Sequence, residues 1–256
     1  MQRYFIQLSY DGTSYHGWQI QPNGISVQET VEKALSIVAR ETVSVTGAGR
    51  TDAGVHASYY VAHFDTGNLC LDNEKIIHNL NCLLPYNIAV QRIYKVSSEA
   101  HARFDALYRT YKYFLIKTKD PFFWLYASKE ARIPDLAKMN YAARKLFIYE
   151  DFTSFSKLGT DVKTNNCKVD LAEWIDEGNR LVFTIRADRF LRNMVRAIVG
   201  TLLEVGFGKL TVEDFCKIIE AKDRCAAGAS VPAKGLFLTD IGYPYDLTKG
   251  LKGMKI

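Results

Sequence analysis

The sequence has no C-x-x-C pair, no grouping of cysteine and histidine at zinc-ligand spacing, and no apolar run that approaches membrane length. Its five cysteines, Cys70, Cys82, Cys167, Cys216 and Cys225, are odd in number and scattered through 256 residues. This argues against a disulfide framework and a structural zinc, and for free thiols in a reducing compartment. No low-complexity linker interrupts the chain, and the opening MQRYFIQLSYDG enters a strand pattern at once, with neither a signal nor a transit peptide. The expectation is a cytoplasmic protein with no membrane contact.

Apolar residues make up 48% of the chain and charged residues 24%, which fits a globular fold rather than a disordered or fibrous one. A chain this long buries roughly three quarters of its unfolded surface and needs no covalent staple. Net charge is only +5, so the distribution is more informative than the sum. Arg186, Arg189, Arg192 and Arg196 fall within eleven residues, and His101, Arg103, Arg109, Lys112 and Lys117 lie in a tyrosine-rich stretch. Clustered cations point to a polyanionic partner, although solvated faces also look like this.

Periodicity predicts a strand at 4–10, a helix opened by Ser26 with capping-box spacing to Glu29, strands at 43–46 and 59–65, a helix stopped by Pro85, and a strand at 88–96. This β-α-β-β-α-β order is that of a split βαβ unit, with a mostly antiparallel sheet and helices on one face. The second half follows a comparable plan: strand 107–117, helix 135–148, strands 168–175 and 180–187, helices 190–205 and 211–221, and a strand near 236–241. The predicted class is α+β, two split-βαβ (ferredoxin-like) halves forming a mostly antiparallel central sheet flanked by helices. The predicted division is 1–100, with the glycine loop, and 101–256.

That loop, GAGRTDAGVHA at 47–57, opens like a dinucleotide or phosphate-binding turn. No helix is predicted after it, Asp52 stands where the third glycine of the dinucleotide pattern belongs, and the Gly-Lys-Ser/Thr ending is missing. A carboxylate there would repel phosphate. Asp52 reads either as a turn aspartate bonded to its own backbone or, with Arg50, His56 and small neighbours around it, as an ionised group facing a flat ligand.

GRTDAGVHA at 49–57 closely resembles the signature of the TruA family of tRNA pseudouridine synthases, and further blocks follow in order. They are SYDGTSYHGWQIQ at 9–21, SVQETVEKAL at 26–35, HARFDALYRTYKYFL at 101–115, FLRNMVRAIVGTLLEVG at 190–206, and GLFL with YP at 235–244. One block departs: YEDFTSF at 149–155 has Glu150 where the family commonly has histidine.

The resemblance implies the pseudouridine synthase fold, conversion of uridine to pseudouridine in the anticodon arm around tRNA positions 38 to 40, no cofactor or metal, and a homodimer. It implies Asp52 as the nucleophile, directed at uracil C6 or ribose C1′, and Arg196 in MVR as its ion-pair partner. Tyr111 would stack on the flipped uracil, Leu236 would pack on its other side, and Arg50 would fill the space that the base leaves. Arg109, Arg189 and Arg192 are the further candidate RNA contacts. As bare sequence, Tyr111 and Leu236 also read as core, and Arg189 and Arg192 as solvated cations. A non-catalytic RNA-binding module and a phosphate-loop nucleotide enzyme remain as alternatives. His56, His63 and His101 are expected in hydrogen-bonded or RNA-facing roles.

Overall fold

Tyr4, Ile6, Leu8 and Tyr10 alternate along β1 (Gln2–Tyr10) and are buried on one face, while Phe5 is buried on the other, where Tyr243 and Tyr245 pack on it. In this computed structural model, which describes residues 1–68, 73–157, 159 and 163–247, two units are distinguished, 1–107 with 238 onward, and 108–237.

In the first unit, the apolar stripe Val27, Val31, Ala34, Leu35 and Ala39 buries one side of α1 (Val27–Ala39). The Oγ of Ser26 accepts from the Glu29 N–H at 3.1 Å. The return bond of a capping box is absent, because the Glu29 carboxylate pairs with Lys33 instead. β2 (Val45–Gly47) and β3 (His56–Thr66) run antiparallel to each other. After α2 (Asn73–Leu83), β4 (Ile88–Lys95) pairs antiparallel with β1, which pairs antiparallel with β3. The spatial order β4-β1-β3-β2 is the split βαβ plan.

The second unit begins with β5 (Tyr108–Ile116), to which the two-residue β6 (Ser128–Lys129) adds a short parallel edge. After α3 (Leu136–Lys145) come β7 (Val169–Asp176) and β8 (Arg180–Ala187), which complete the antiparallel order β5-β8-β7. α4 (Met194–Gly206) and α5 (Val212–Ala221) follow. Tyr113, Trp174 and Phe183 from the strands, and Ile198 and Leu202 from α4, are core residues. β9 (Leu236–Gly242) is the last strand in the chain; from Leu238 it belongs to the first unit, where it pairs with β3. The strands and helices give the expected mixed class with mostly antiparallel pairing.

Two expected helices are shorter: α3 ends at Lys145 instead of 148, where Leu146–Ile148 tightens into a 3₁₀ turn. The helix anticipated from residue 190 starts at Met194, because Leu191–Met194 makes a turn and Asn193 takes φ 67°. A left-handed residue cannot continue the helical hydrogen-bond ladder. Arg189 and Arg192 therefore precede α4 and do not share a helical face with Arg196. Among the described residues no helix is long and apolar enough to cross a membrane. Cys82, Cys167, Cys216 and Cys225 are free thiols; Cys70 lies outside the described residues.

Candidate active site

The loop carrying Asp52 is held from below and from one side. Below it, the ring of Trp18 stacks on Tyr60 at 4.0 Å between centroids, and Tyr10 packs against both. Tyr60 donates to the Gly49 carbonyl, and the Tyr10 and Thr51 hydroxyls are 2.9 Å apart. A Cβ on Gly47 would fall 2.1 Å from the Tyr60 hydroxyl oxygen, so only glycine fits there.

At the side, the 11–18 segment lies backbone to backbone against 51–55. The Trp18 N–H donates to the Thr51 carbonyl at 3.3 Å, and the Gly54 N–H to the Tyr15 carbonyl at 3.3 Å. Gly17 has φ +94°, and a Cβ on it would stand 2.3 Å from the Thr51 carbonyl oxygen; on Gly12 it would stand 2.0 Å from that of Val55. This explains why the DGTSYHGWQ segment carries two glycines.

Asp52 opens a turn: its carbonyl accepts from the Val55 N–H at 3.1 Å, and Gly54 takes φ +76° at the third position. Positive φ at that place is the demand of a type II turn. The Asp52 residue is half-buried. β3 follows directly, with no helix, so the backbone amides of a phosphate loop are not assembled here. Arg50 is exposed and, among the described residues, makes no ion pair or hydrogen bond, so it is not the group that holds Asp52. His56 is buried, its Nδ1 3.1 Å from the Gly12 N–H and 3.0 Å from an Asp11 carboxylate oxygen, able to accept from one or donate to the other. Either bond ties the 11–13 turn to β3.

The second unit brings together Tyr111, Tyr113, Arg196 and Leu236. Tyr111 is buried on β5 opposite Ile185 of β8, and its ring meets Phe190 edge-on at 5.0 Å. Two residues on, on the same face, Tyr113 is fully buried and donates to the Pro232 carbonyl at 3.1 Å. Burial pushes its phenol up to about 12, opposed by hydrogen bonding to Ser128 and by the charge of Arg196. Tyr113 is therefore a neutral donor at physiological pH.

Arg196, in the first turn of α4, donates from Nε to the Val231 carbonyl at 2.7 Å, and its own carbonyl accepts from the Val231 N–H at 3.2 Å. That pair of bonds fixes the guanidinium stem against the 231–232 strap. Gly200 and Gly228 let the strap approach α4: a Cβ on Gly200 would fall 1.9 Å from the Ala229 carbonyl oxygen. The strap continues into the turn Ala233–Gly235, and Leu236 follows it, buried. The sequence singles out Tyr111, Arg196 and Leu236 but not Tyr113 or Val231; the aromatic repeat YRTYKYF is a signal for Tyr113, and Val231 has none.

Arg109 donates to the Asp188 carbonyl at 2.8 Å and Arg189 to that of Thr164 at 3.3 Å, while Arg192 is exposed. Two other cations are engaged within the protein: Lys117 pairs with Asp176 at 2.6 Å and Arg186 with Asp170 at 2.8 Å. Glu150 is exposed, and its carbonyl accepts from the Cys167 N–H at 2.8 Å, so the unusual residue changes a surface position. His63 and His101 meet edge-on at 4.6 Å, and the Nδ1 of each accepts backbone N–H groups. Among the described residues, no group of three or more His, Cys, Asp or Glu is arranged to hold a metal ion.

The first unit thus carries Asp52 on a glycine-supported turn, and the second carries Tyr111 and Arg196. A family model described as tRNA pseudouridine synthase matches residues 7–105 and 142–244. The tRNA pseudouridine synthase A of Bacteroides fragilis is 59% identical over 248 residues, covering 96% of this chain and 98% of the relative. That of Bacteroides thetaiotaomicron is 61% identical over 250 residues, covering 96% and 93%, and that of Exiguobacterium sibiricum 38% identical over 247, covering 95% and 98%. The chain belongs to the tRNA pseudouridine synthase family, enzymes that isomerise uridine in tRNA.

Proposed function

We propose that the chain converts uridine to pseudouridine at positions 38, 39 and 40 of the anticodon stem-loop, with Asp52 as the nucleophile. A base inside a stem must first be flipped out, at a cost of a few kcal/mol. Tyr111 offsets part of that cost by stacking on the uracil, worth about 1–3 kcal/mol per base. Leu236 covers the other face of the base, and Arg50 enters the space it leaves.

Asp52 then attacks uracil C6 or ribose C1′, and the N1–C1′ bond breaks. The uracil turns, C5 bonds to C1′, the proton on C5 leaves, and N1 gains one. Atoms are conserved, and the aspartate is regenerated. Arg196 keeps the carboxylate ionised and aimed through a charge-assisted hydrogen bond. Arg109, Arg189 and Arg192 grip phosphates.

The observation that carries this reading is the turn Asp52–Val55, which two glycine-dependent backbone contacts hold rigid beneath a half-buried carboxylate. A turn built only to reverse the chain needs no such support. The 1–100 part supplies the nucleophile and the 101–256 part completes the cleft. The enzyme works in the cytoplasm as a homodimer, with each stem across both subunits; light scattering should give twice the chain mass. Incubation with unmodified tRNA transcripts, followed by chemical mapping, should yield pseudouridine within positions 38–40. Product only elsewhere in the tRNA would move the target, and no product would refute the reading.

A further inference from the structure

We infer that the first unit holds a second RNA site, separate from the Asp52 loop, which takes an unpaired nucleotide of the tRNA against a tyrosine-walled cleft on the sheet. The inference rests on the tRNA reading above. The cleft has a volume of about 510 Å³, within the range that binds small ligands. Its floor is the strand face on which Gln7 of β1 stands directly opposite Arg92 of β4. A β-bulge at Gln91 breaks the register there, and Gln91 and Arg92 both line the cleft.

The walls are tyrosines held by their hydroxyls, which leaves ring surface for contact. Tyr94 donates to Gln7 Oε1 at 2.9 Å, Tyr243 to the Ala102 carbonyl at 2.7 Å, and Tyr245 to the Asp105 carboxylate at 2.9 Å. Tyr243 and Tyr245 lie nearly parallel at 5.8 Å, both packed on Phe5. Tyr59 of β3 faces the same space.

The donors are unspent. Among the described residues, the exposed guanidinium of Arg92 makes no ion pair or hydrogen bond, and Gln7 donates from Nε2 to none. Aromatic faces, an amide for a base edge and a guanidinium for phosphate are what unpaired RNA bases require, and antiparallel sheets elsewhere stack bases in this way. Asp246 also lines the cleft; as a carboxylate it suits the amino or imino donors of a base and opposes phosphate, which places the phosphate at the Arg92 side.

The test measures binding of unmodified tRNA transcript to the full chain by fluorescence anisotropy, with pseudouridine formation and oligomeric state followed in parallel. Arg92→Ala and Tyr59→Leu should each raise Kd about tenfold, the scale of one lost stack or phosphate contact. Arg92→Lys should recover part of the Arg92 loss, because a point charge still meets phosphate. Unaltered Kd in both variants, with melting temperatures like the parent, would overturn the site while leaving the enzymatic reading intact. A change in oligomeric state in step with any loss of affinity would also overturn it, by marking the cleft as a contact between copies. If the parent binds tRNA but forms no pseudouridine, the enzymatic reading fails on its own.

Discussion

At the scale of single residues, the Asp52 turn depends on glycines that cannot be enlarged. Gly17 meets the Thr51 carbonyl at φ +94°, so Gly17→Ala must distort the turn that carries Asp52. Strain of about 1–3 kcal/mol should lower the melting temperature by several degrees, at about 2–4 °C per kcal/mol. Gly49→Ala is the control, since a Cβ there meets nothing within 4 Å; its melting curve should overlay the parent. The thiols make a second residue-level prediction. Burial pushes Cys167 up to about 12, whereas Cys82 and Cys225 are exposed. Alkylation of the native protein near pH 8, read by peptide mass spectrometry, should label Cys82 and Cys225 and spare Cys167.

At the scale of elements, caps and straps do the positioning. The capping box of α5 closes reciprocally: the Thr211 Oγ accepts from the Asp214 N–H at 3.1 Å, and the Asp214 carboxylate accepts from the Thr211 N–H at 3.1 Å. Thr211→Ala should cost about 1 kcal/mol in a denaturant titration, with unchanged slope. Long periodic elements were legible from residues alone: β1 and β8 fall within two residues of their expected bounds, and α1 starts directly after its expected cap, Ser26. α4 began late because a single left-handed Asn193 overrides a favourable apolar pattern, and no pattern of hydrophobicity announces φ > 0. β6, two residues long, is too short to carry a period. The Asp52 loop could be read as a candidate because its composition is unusual. Its supports could not, since Gly17 against Thr51 and Gly12 against Val55 are meetings of distant segments that no local spacing encodes.

At the scale of the whole molecule, a buried histidine links stability to pH. His63 accepts the Ala102 N–H, and burial, with help from His101 and Arg3, lowers its pKa to about 4 from an ordinary 6.5. Asp65 and Asp105 work weakly in the opposite direction. Between those values the unfolded chain binds a proton that the folded chain refuses. Stability is therefore whole above about pH 6.5 and declines as pH falls toward 4, by up to roughly 3 kcal/mol. Denaturant midpoints measured from pH 7.5 to 4 should show this loss, and His63→Gln should flatten it. Stability that rose on acidification through this window would contradict the assignment.

The central claim is that Asp52 performs the chemistry and does not merely shape a turn. The most direct measurement compares the parent with Asp52→Ala on the same unmodified tRNA transcript, recording both affinity and pseudouridine yield. The account predicts tRNA affinity within a few-fold of the parent and no detectable pseudouridine. Product formed by Asp52→Ala at a rate comparable to the parent would contradict it.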